Sequence, residues 1–485
     1  MKSYLSTALL VLVSLSPCKA HNKKITVVGA GLSGLTTIYR LKQNGYHAVG
    51  YEANTRPGGR VYTCYFDNGS YEELGGMSID DGGYADHILS LIKELELELE
   101  TYYYKPENMR FFDASDKPDY VHSFIKKGPL PTPELYNTLQ QNLTSFSSIG
   151  SLFDSLFNPH TPPRIITEKW LCGYEGSPTH ALSIGYFDLF WKAYKRMCGI
   201  IDEDYSHDEF FTMSTVKNGM CNLIEALCSS IGDCIYYNHV LTKISYNHTT
   251  DKTILVFSNG TSIETDYTIL TLPCTTLREV EIEQGLFPDD QKTMINTLQY
   301  GSNAKLLIPI DPQFYTHPSF DLGNTAANII CSKPVIWCYF GGKEGVFDHF
   351  SIKELTNVFK QEKPYLKELF PDRTLPNSIH PVPSSDKAWV RSNEAVGISW
   401  INEPFSKGSY TSVAPEQHEA YNNFSIACSH IVRTAFRPIK NRIFFAGEHT
   451  SFENYATMEG AVESGERTAK MLLYLFKHEN QEAFS

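Results

Sequence analysis

The sequence predicts an α/β fold, a Rossmann-like nucleotide-binding domain with an α+β domain interleaved in it, on three observations. Near the N-terminus, Ile25-Thr-Val-Val28 is a short β-branched run of the kind buried in parallel sheets, and Gly29-Ala-Gly31-Leu-Ser33-Gly34 follows it at once. A second apolar run, His47 to Tyr51, ends in Glu52, about 20 residues past the glycine turn, where a ribose-binding carboxylate belongs. Near the C-terminus, Arg442-Ile-Phe-Phe-Ala-Gly447-Glu448 repeats the strand, glycine and acid. Two such turns at opposite ends of 485 residues imply that both ends build one nucleotide site.

Residues 1 to 20 stand apart from this fold. Lys2 gives a positive start, Leu5 to Leu15 an apolar stretch, and Pro17-Cys-Lys-Ala20 a cleavage region, which together read as an export signal too short to span a bilayer. The nucleotide-binding strand begins almost immediately afterwards. Gly29 permits the tight turn, Gly31 lets backbone approach a pyrophosphate, and Gly34 lets helix pack on strand. Leu35 to Asn44 has a helical apolar pattern. Its first turn, Ser33 included, offers free N–H groups and the positive dipole end to phosphates.

Downstream, Phe66 to Ser90 stays with the nucleotide site, and Glu94 to Met213 reads as mostly helical and aromatic, with Phe153, Phe157, Trp170, Phe187, Phe190, Trp191 and Tyr194. Most of these rings are expected in the core. From Ser214 to Leu272 the pattern turns to strands: Asn238 to Ile244, Ile254 to Phe257, an Asn259-Gly260 hairpin turn, and Tyr267 to Leu272. Leu298 to Tyr421 reads as a second portion of the interleaved domain.

Composition sets limits. A hydrophobic share of 42% and a charged share of 20% are those of a folded globular chain. The net charge of −13 speaks against nucleic acid or an anionic membrane as partner. No stretch of 18 uninterrupted apolar residues follows the signal, so no transmembrane anchor is expected. Beyond Cys18 the cysteines are Cys64, Cys172, Cys198, Cys221, Cys228, Cys234, Cys274, Cys331, Cys338 and Cys428, without a Cys-x-x-Cys pair or a metal-ligand grouping. Export permits disulfides but leaves their pairing open. Asn-x-Ser/Thr sequons begin at Asn68, Asn142, Asn247, Asn259 and Asn423.

Four further segments carry a resemblance. Arg56-Pro-Gly-Gly59-Arg60 follows the ribose carboxylate, and Glu73-Leu-Gly-Gly76-Met77-Ser-Ile79 comes next. Gln299-Tyr-Gly-Ser-Asn-Ala-Lys305 leads into an apolar strand, and Met458-Glu-Gly-Ala-Val-Glu-Ser-Gly465 opens a Gly/Ala-faced helix. Together with both glycine turns, these segments resemble the flavin monoamine and L-amino-acid oxidase superfamily over nearly the whole chain. The resemblance implies FAD as cofactor, with Gly29, Gly31, Ser33, Gly34, Glu52, Gly59, Arg60, Gly76, Met77, Val240, Glu448, Thr457 and Met458 around it. It implies an FAD-binding domain from 21–95, 214–297 and 422–478, and a substrate domain from 96–213 and 298–421. Lys305 would hold a water beside the reactive flavin nitrogen and assist reoxidation by dioxygen. A lysine in an otherwise apolar strand is expensive to bury unless its charge is used. Tyr410, Thr457 and Trp400 would face the substrate.

Departures from the family pattern refine this reading. The family's flavin-linking cysteine is Ser409 here, in Lys407-Gly-Ser-Tyr410, so the FAD is expected to be non-covalent. Tyr410 keeps one wall of the aromatic cage at the substrate amine, and Thr457 replaces the tyrosine of the other. Amino-acid oxidases carry an arginine after Gly-Pro-Met, where this chain has Ser78. The reading is an exported, FAD-dependent oxidase of a primary or secondary amine, with an L-amino-acid oxidase as the first alternative and a non-catalytic flavin-binding protein as the second.

Overall fold

The computed structural model describes residues 23–80, 85–103, 109–111, 119–200, 212–315, 319–323, 325–417, 435–451 and 454–482. The expected export signal, Cys428 and the Asn423 sequon lie outside them. At the centre is a five-stranded parallel sheet in the order Ile235–Tyr236, Ala48–Tyr51, Ile25–Val28, Tyr267–Leu270, Ile443–Phe445. Every residue of the middle strand, Ile25–Val28, is buried, as a strand covered on both faces requires. The helix Leu32–Gln43 returns from it and packs on the C-terminal helix Met458–Glu482. Their backbones meet at Gly465, where an added Cβ would lie 2.6 Å from the Ser33 carbonyl oxygen.

A four-stranded sheet follows, in the order Ser262–Thr265, Lys252–Phe257, Leu241–Asn247, Glu281–Ile282, with the Asn259-Gly260 turn at its hairpin. The strand expected over Asn238 to Ile244 begins at Leu241 and runs on to Asn247. Asn238 adopts φ 59°, so the chain leaves the parallel sheet at Tyr236 and re-enters pairing at Leu241. The stretch read as strands from Ser214 also contains a helix, Cys221–Ile231, whose Leu223, Ile224, Leu227 and Ile231 are buried at helical spacing.

The largest sheet has eight strands, with Ala304–Pro309 between Val396–Ser399 and Val335–Phe340, antiparallel to both. Beside it the helices Pro133–Gln141, Ile149–Leu156, Pro162–Glu175 and Phe187–Met197 enclose their own core, in which Phe153, Phe157, Phe187, Phe190, Trp191 and Tyr194 are buried. The region read as mostly helical also includes strands: Leu99–Tyr103 pairs with Thr212–Val216 across it. All nine described cysteines are free thiols, and most are buried. Among the described residues no helix is long and apolar enough to cross a membrane, and no cluster of metal-ligating side chains occurs.

Candidate cofactor and substrate site

The N-terminal glycine turn has the geometry its spacing predicts. Gly29 has φ 105°, and a Cβ there would lie 2.4 Å from Thr271 Oγ1. A Cβ on Gly34 would lie 2.2 Å from the Gly29 carbonyl oxygen, whereas one on Gly31 would meet nothing within 4 Å. Helix and strand are therefore in contact at Gly34, and space remains above Gly31. The helix starts at Leu32 with no side-chain cap and no acid in its first turn, so its first N–H groups, Ser33 included, are free for a phosphate. Gly59 closes over this point, its Cβ position 3.2 Å from Gly31 Cα.

Glu52 is buried at the end of the second strand. Its Oε2 accepts from the Ala30 N–H at 2.6 Å and its Oε1 from the Asn54 N–H at 2.9 Å. Burial pushes its pKa up, and these N–H bonds pull against it. Each oxygen keeps a lone pair for a ribose hydroxyl. Val240 follows His239, whose N–H bonds the Glu52 carbonyl, which places Val240 at the same end of the sheet.

At the flavin end of the site, the N-terminal and C-terminal segments meet in an ion pair. Arg60 Nη1 donates to Glu448 Oε1 at 2.9 Å and to the Ser409 carbonyl at 2.7 Å. Glu448 Oε2 accepts from the Ala456 N–H at 2.9 Å. Burial alone would raise the Glu448 pKa, but Arg60 holds the carboxylate below its ordinary range. The segment Glu73 to Met77 is clamped from several sides. Gly76 bonds the Arg60 carbonyl and faces Met458, whose Sδ would lie 3.0 Å from a Cβ at Gly76. Met77 packs against the core that contains Leu74, Trp337 and Trp400. Trp400 Nε1 donates to the Leu74 carbonyl at 3.0 Å, so its polar edge holds this segment rather than a substrate. The Thr457 hydroxyl accepts from the Gly460 N–H at 3.0 Å, so it caps the C-terminal helix.

Lys305 is 5% exposed, which excludes a solvent-facing side chain. Its ammonium donates to the Glu73 carbonyl at 2.8 Å and the Gly75 carbonyl at 3.0 Å. Burial pulls its pKa below the ordinary lysine value, and Glu72 and Glu73 push it back up. Tyr410 is half-buried and shares a 3.1 Å hydrogen bond with the Tyr339 hydroxyl. Tyr410 also donates to the Tyr174 carbonyl at 2.6 Å. The next residue, Glu175, is buried at the end of its helix; burial raises its pKa to about 8, and a hydrogen bond from Tyr186 opposes that rise. Its charge is felt by both Tyr339 and Tyr410. Sequence reasoning missed Glu72, Tyr339 and Glu175. None belongs to a glycine-rich motif, and only the paired strands and the helix end bring them to Lys305 and Tyr410.

These residues fit FAD. They provide an open glycine cradle on an uncapped helix, a ribose carboxylate, and a buried backbone segment flanked by Lys305 and the Arg60–Glu448 pair. Ser409 is also buried and donates to Asn303 Oδ1 at 2.6 Å, with no sulfur at that position to bond a flavin. Acid precipitation is expected to release all the yellow colour into the supernatant; colour retained in the pellet would show a covalent link.

Fold and site define an FAD-dependent oxidoreductase, and comparison with known proteins supplies the family. Residues 32–473 match the model for flavin containing amine oxidoreductases, and the chain belongs to that family, whose chemistry is oxidative deamination. It is 24% identical over 490 residues to amine oxidase [flavin-containing] B of Sus scrofa, covering 93% of this chain and 86% of the relative. It is 22% identical over 480 residues to the L-amino-acid oxidase of Gloydius blomhoffii, covering 93% and 89%. Among solved structures, cyclohexylamine oxidase from Brevibacterium oxydans IH-35A superposes with a TM-score of 0.68 at 16% identity, covering 94% of this chain and 99% of that one.

Proposed function

We propose that this enzyme oxidises a primary or secondary amine, not an α-amino acid, with dioxygen as electron acceptor. The observation that carries the choice is Glu175, a buried acid beside Tyr410 and Tyr339. With its pKa raised to about 8 by burial, Glu175 rests protonated at neutral pH; a substrate ammonium beside it favours the ionised form and gains an opposite charge, whereas an amino-acid carboxylate favours the neutral form and gains none. Bound in the glycine cradle beside Glu52 and the Arg60–Glu448 pair, FAD would supply the redox chemistry, as acceptor of a hydride from the amine-bearing carbon and donor of two electrons to dioxygen, which leaves as hydrogen peroxide. Tyr410 and Tyr339 position the amine, and the buried surroundings keep bulk water away. Lys305 holds a positive charge at the segment beside the flavin. Water then hydrolyses the released imine to a carbonyl compound and ammonia, or to a carbonyl compound and a primary amine where the substrate is a secondary amine.

Hydrogen peroxide release across monoamines, polyamines and L-amino acids tests this reading. Amines are expected to be the faster substrates, and Glu175→Gln is expected to narrow their lead over the matching amino acids by about tenfold. Faster turnover of amino acids by the parent enzyme would favour the alternative. The apolar N-terminus further supports export to a periplasmic or extracellular location. A mature protein that begins at His21 is the expected product, and recovery of an uncleaved N-terminus would reject that part.

A further inference from the structure

Two consecutive acids next to the active lysine point in opposite directions. Strand Tyr71–Glu73 runs antiparallel to Thr63–Phe66, with Cys64 opposite Glu72 and Thr63 opposite Glu73. Residues directly opposite share a face of the sheet. Glu73 therefore turns with Thr63 toward the helix Cys221–Ile231, where its two oxygens accept from Thr63 Oγ1 and the Met220 N–H, each at 2.8 Å. Glu72 turns with Cys64 into the apolar core formed by Leu307, Trp337, Val396 and Ile398. It is 1% exposed there. Its Oε1 accepts from the Glu73 N–H at 2.9 Å, but its Oε2 is buried without a hydrogen-bond partner.

A buried carboxylate oxygen with no donor is costly unless a charge compensates it. A charge on the same face is Lys305, whose Nζ lies 5.0 Å from the centre of the Trp337 ring in that core; Arg373, beside Cys331, is the other cation in the neighbourhood of Glu72. Glu72 is the group that supports the charged form of Lys305 most, ahead of Glu73. Glu73 already has two donors on its own side of the strand. We propose that Glu72 is the buried counter-ion of Lys305: a positioning residue that keeps the lysine charged and directed at the Glu73–Gly75 backbone. The proposal rests on the reading of Lys305 as the charge beside the flavin.

The other ionisable groups around Lys305 are Glu73 and Cys64 on the paired strands, Tyr339 on the neighbouring strand, and Lys333, which acts on Glu73. The test is a pH titration of the visible absorption of the oxidised, FAD-loaded enzyme, with reoxidation measured at the same pH values. A transition present in the parent and missing from Lys305→Met reports the lysine. Glu72→Gln removes the negative charge at nearly constant shape, so the Lys305 transition is expected about one pH unit lower, and reoxidation is expected to fall off at correspondingly lower pH. Glu72→Asp keeps the charge and is expected to titrate near the parent. A Glu72→Gln transition that coincides with the parent's overturns the proposal. So does an equal shift in Glu72→Gln made on the Lys305→Met background, because another group would then be titrating. If Glu72→Gln does not fold, Glu72→Met, apolar like the core around it, carries the test with the same expected lowering, and a transition that coincides with the parent's overturns the proposal. Because the spectral titration does not depend on turnover, it separates failure of this counter-ion role from failure of Lys305 to act on oxygen.

Discussion

Lys305→Met is expected to slow reoxidation of the reduced flavin by dioxygen about 10²–10³-fold, the usual worth of one preorganised charge in a dry site. Methionine preserves the length and apolar bulk of the side chain, and the strand around it, Ala304–Pro309, is buried by its neighbours on both sides. Folding and FAD content are therefore expected to survive while the charge is lost. The measurement is stopped-flow: anaerobic reduction, mixing with oxygenated buffer, and recovery of the oxidised absorbance. Equal rates in mutant and parent would reduce Lys305 to a clamp on the Glu73 and Gly75 carbonyls. A parent that itself reacts sluggishly with oxygen would point to a different acceptor.

The second large effect concerns acid stability. His449 is buried beside Glu448, and burial draws its pKa down from 6.5 to about 4. Its ring packs edge-on against Phe436 at 5.0 Å, and its Nδ1 has no hydrogen-bond partner. The folded pKa lies below the unfolded one, so between pH 6.5 and 4 the unfolded chain binds a proton that the folded chain refuses. The contribution of His449 to stability is therefore constant above that window and falls as the pH drops through it. By pH 5 the loss amounts to about 2 kcal/mol. Denaturant unfolding of the FAD-loaded protein at pH 7 and pH 5 is expected to show this loss in the parent but not in His449→Gln, which cannot take up the proton. Equal losses in the two proteins would mean that other groups drive the acid transition.

The parts of this molecule that were legible in the sequence are those whose chemistry depends on local spacing. Gly29, Gly31 and Gly34 announce a backbone approach that no other residue allows, and Glu52 follows at the distance one helix and one strand impose. Lys305 stood out because a charge in an apolar strand needs a reason. What was not legible depends on pairing across the chain. Glu72 and Glu73 look alike in sequence, and only their register against Cys64 and Thr63 separates a satisfied acid from one buried against the lysine. Glu175 ends a helix amid aromatic residues and carries no motif. The bond from Trp400 to the Leu74 carbonyl was likewise hidden, because it depends on how the strand before Trp400 packs on the 73–77 segment. The strand expected over Asn238 to Ile244 begins only at Leu241 for a similar reason: a left-handed Asn238 lets the chain change sheets, and apolar alternation gives no sign of that.

The order of the parallel sheet has a consequence for how the protein is made. Its middle strand, Ile25–Val28, emerges from the ribosome almost first, while the edge strand Ile443–Phe445 and the Glu448 that pairs with Arg60 emerge almost last. Contacts between residues so far apart in the chain form late and slowly. Until synthesis is nearly complete, the glycine cradle exists without the ion pair that completes the flavin end of the site. Cofactor capture is therefore expected to wait for the segment that carries Glu448, and chains interrupted before it are expected to be colourless.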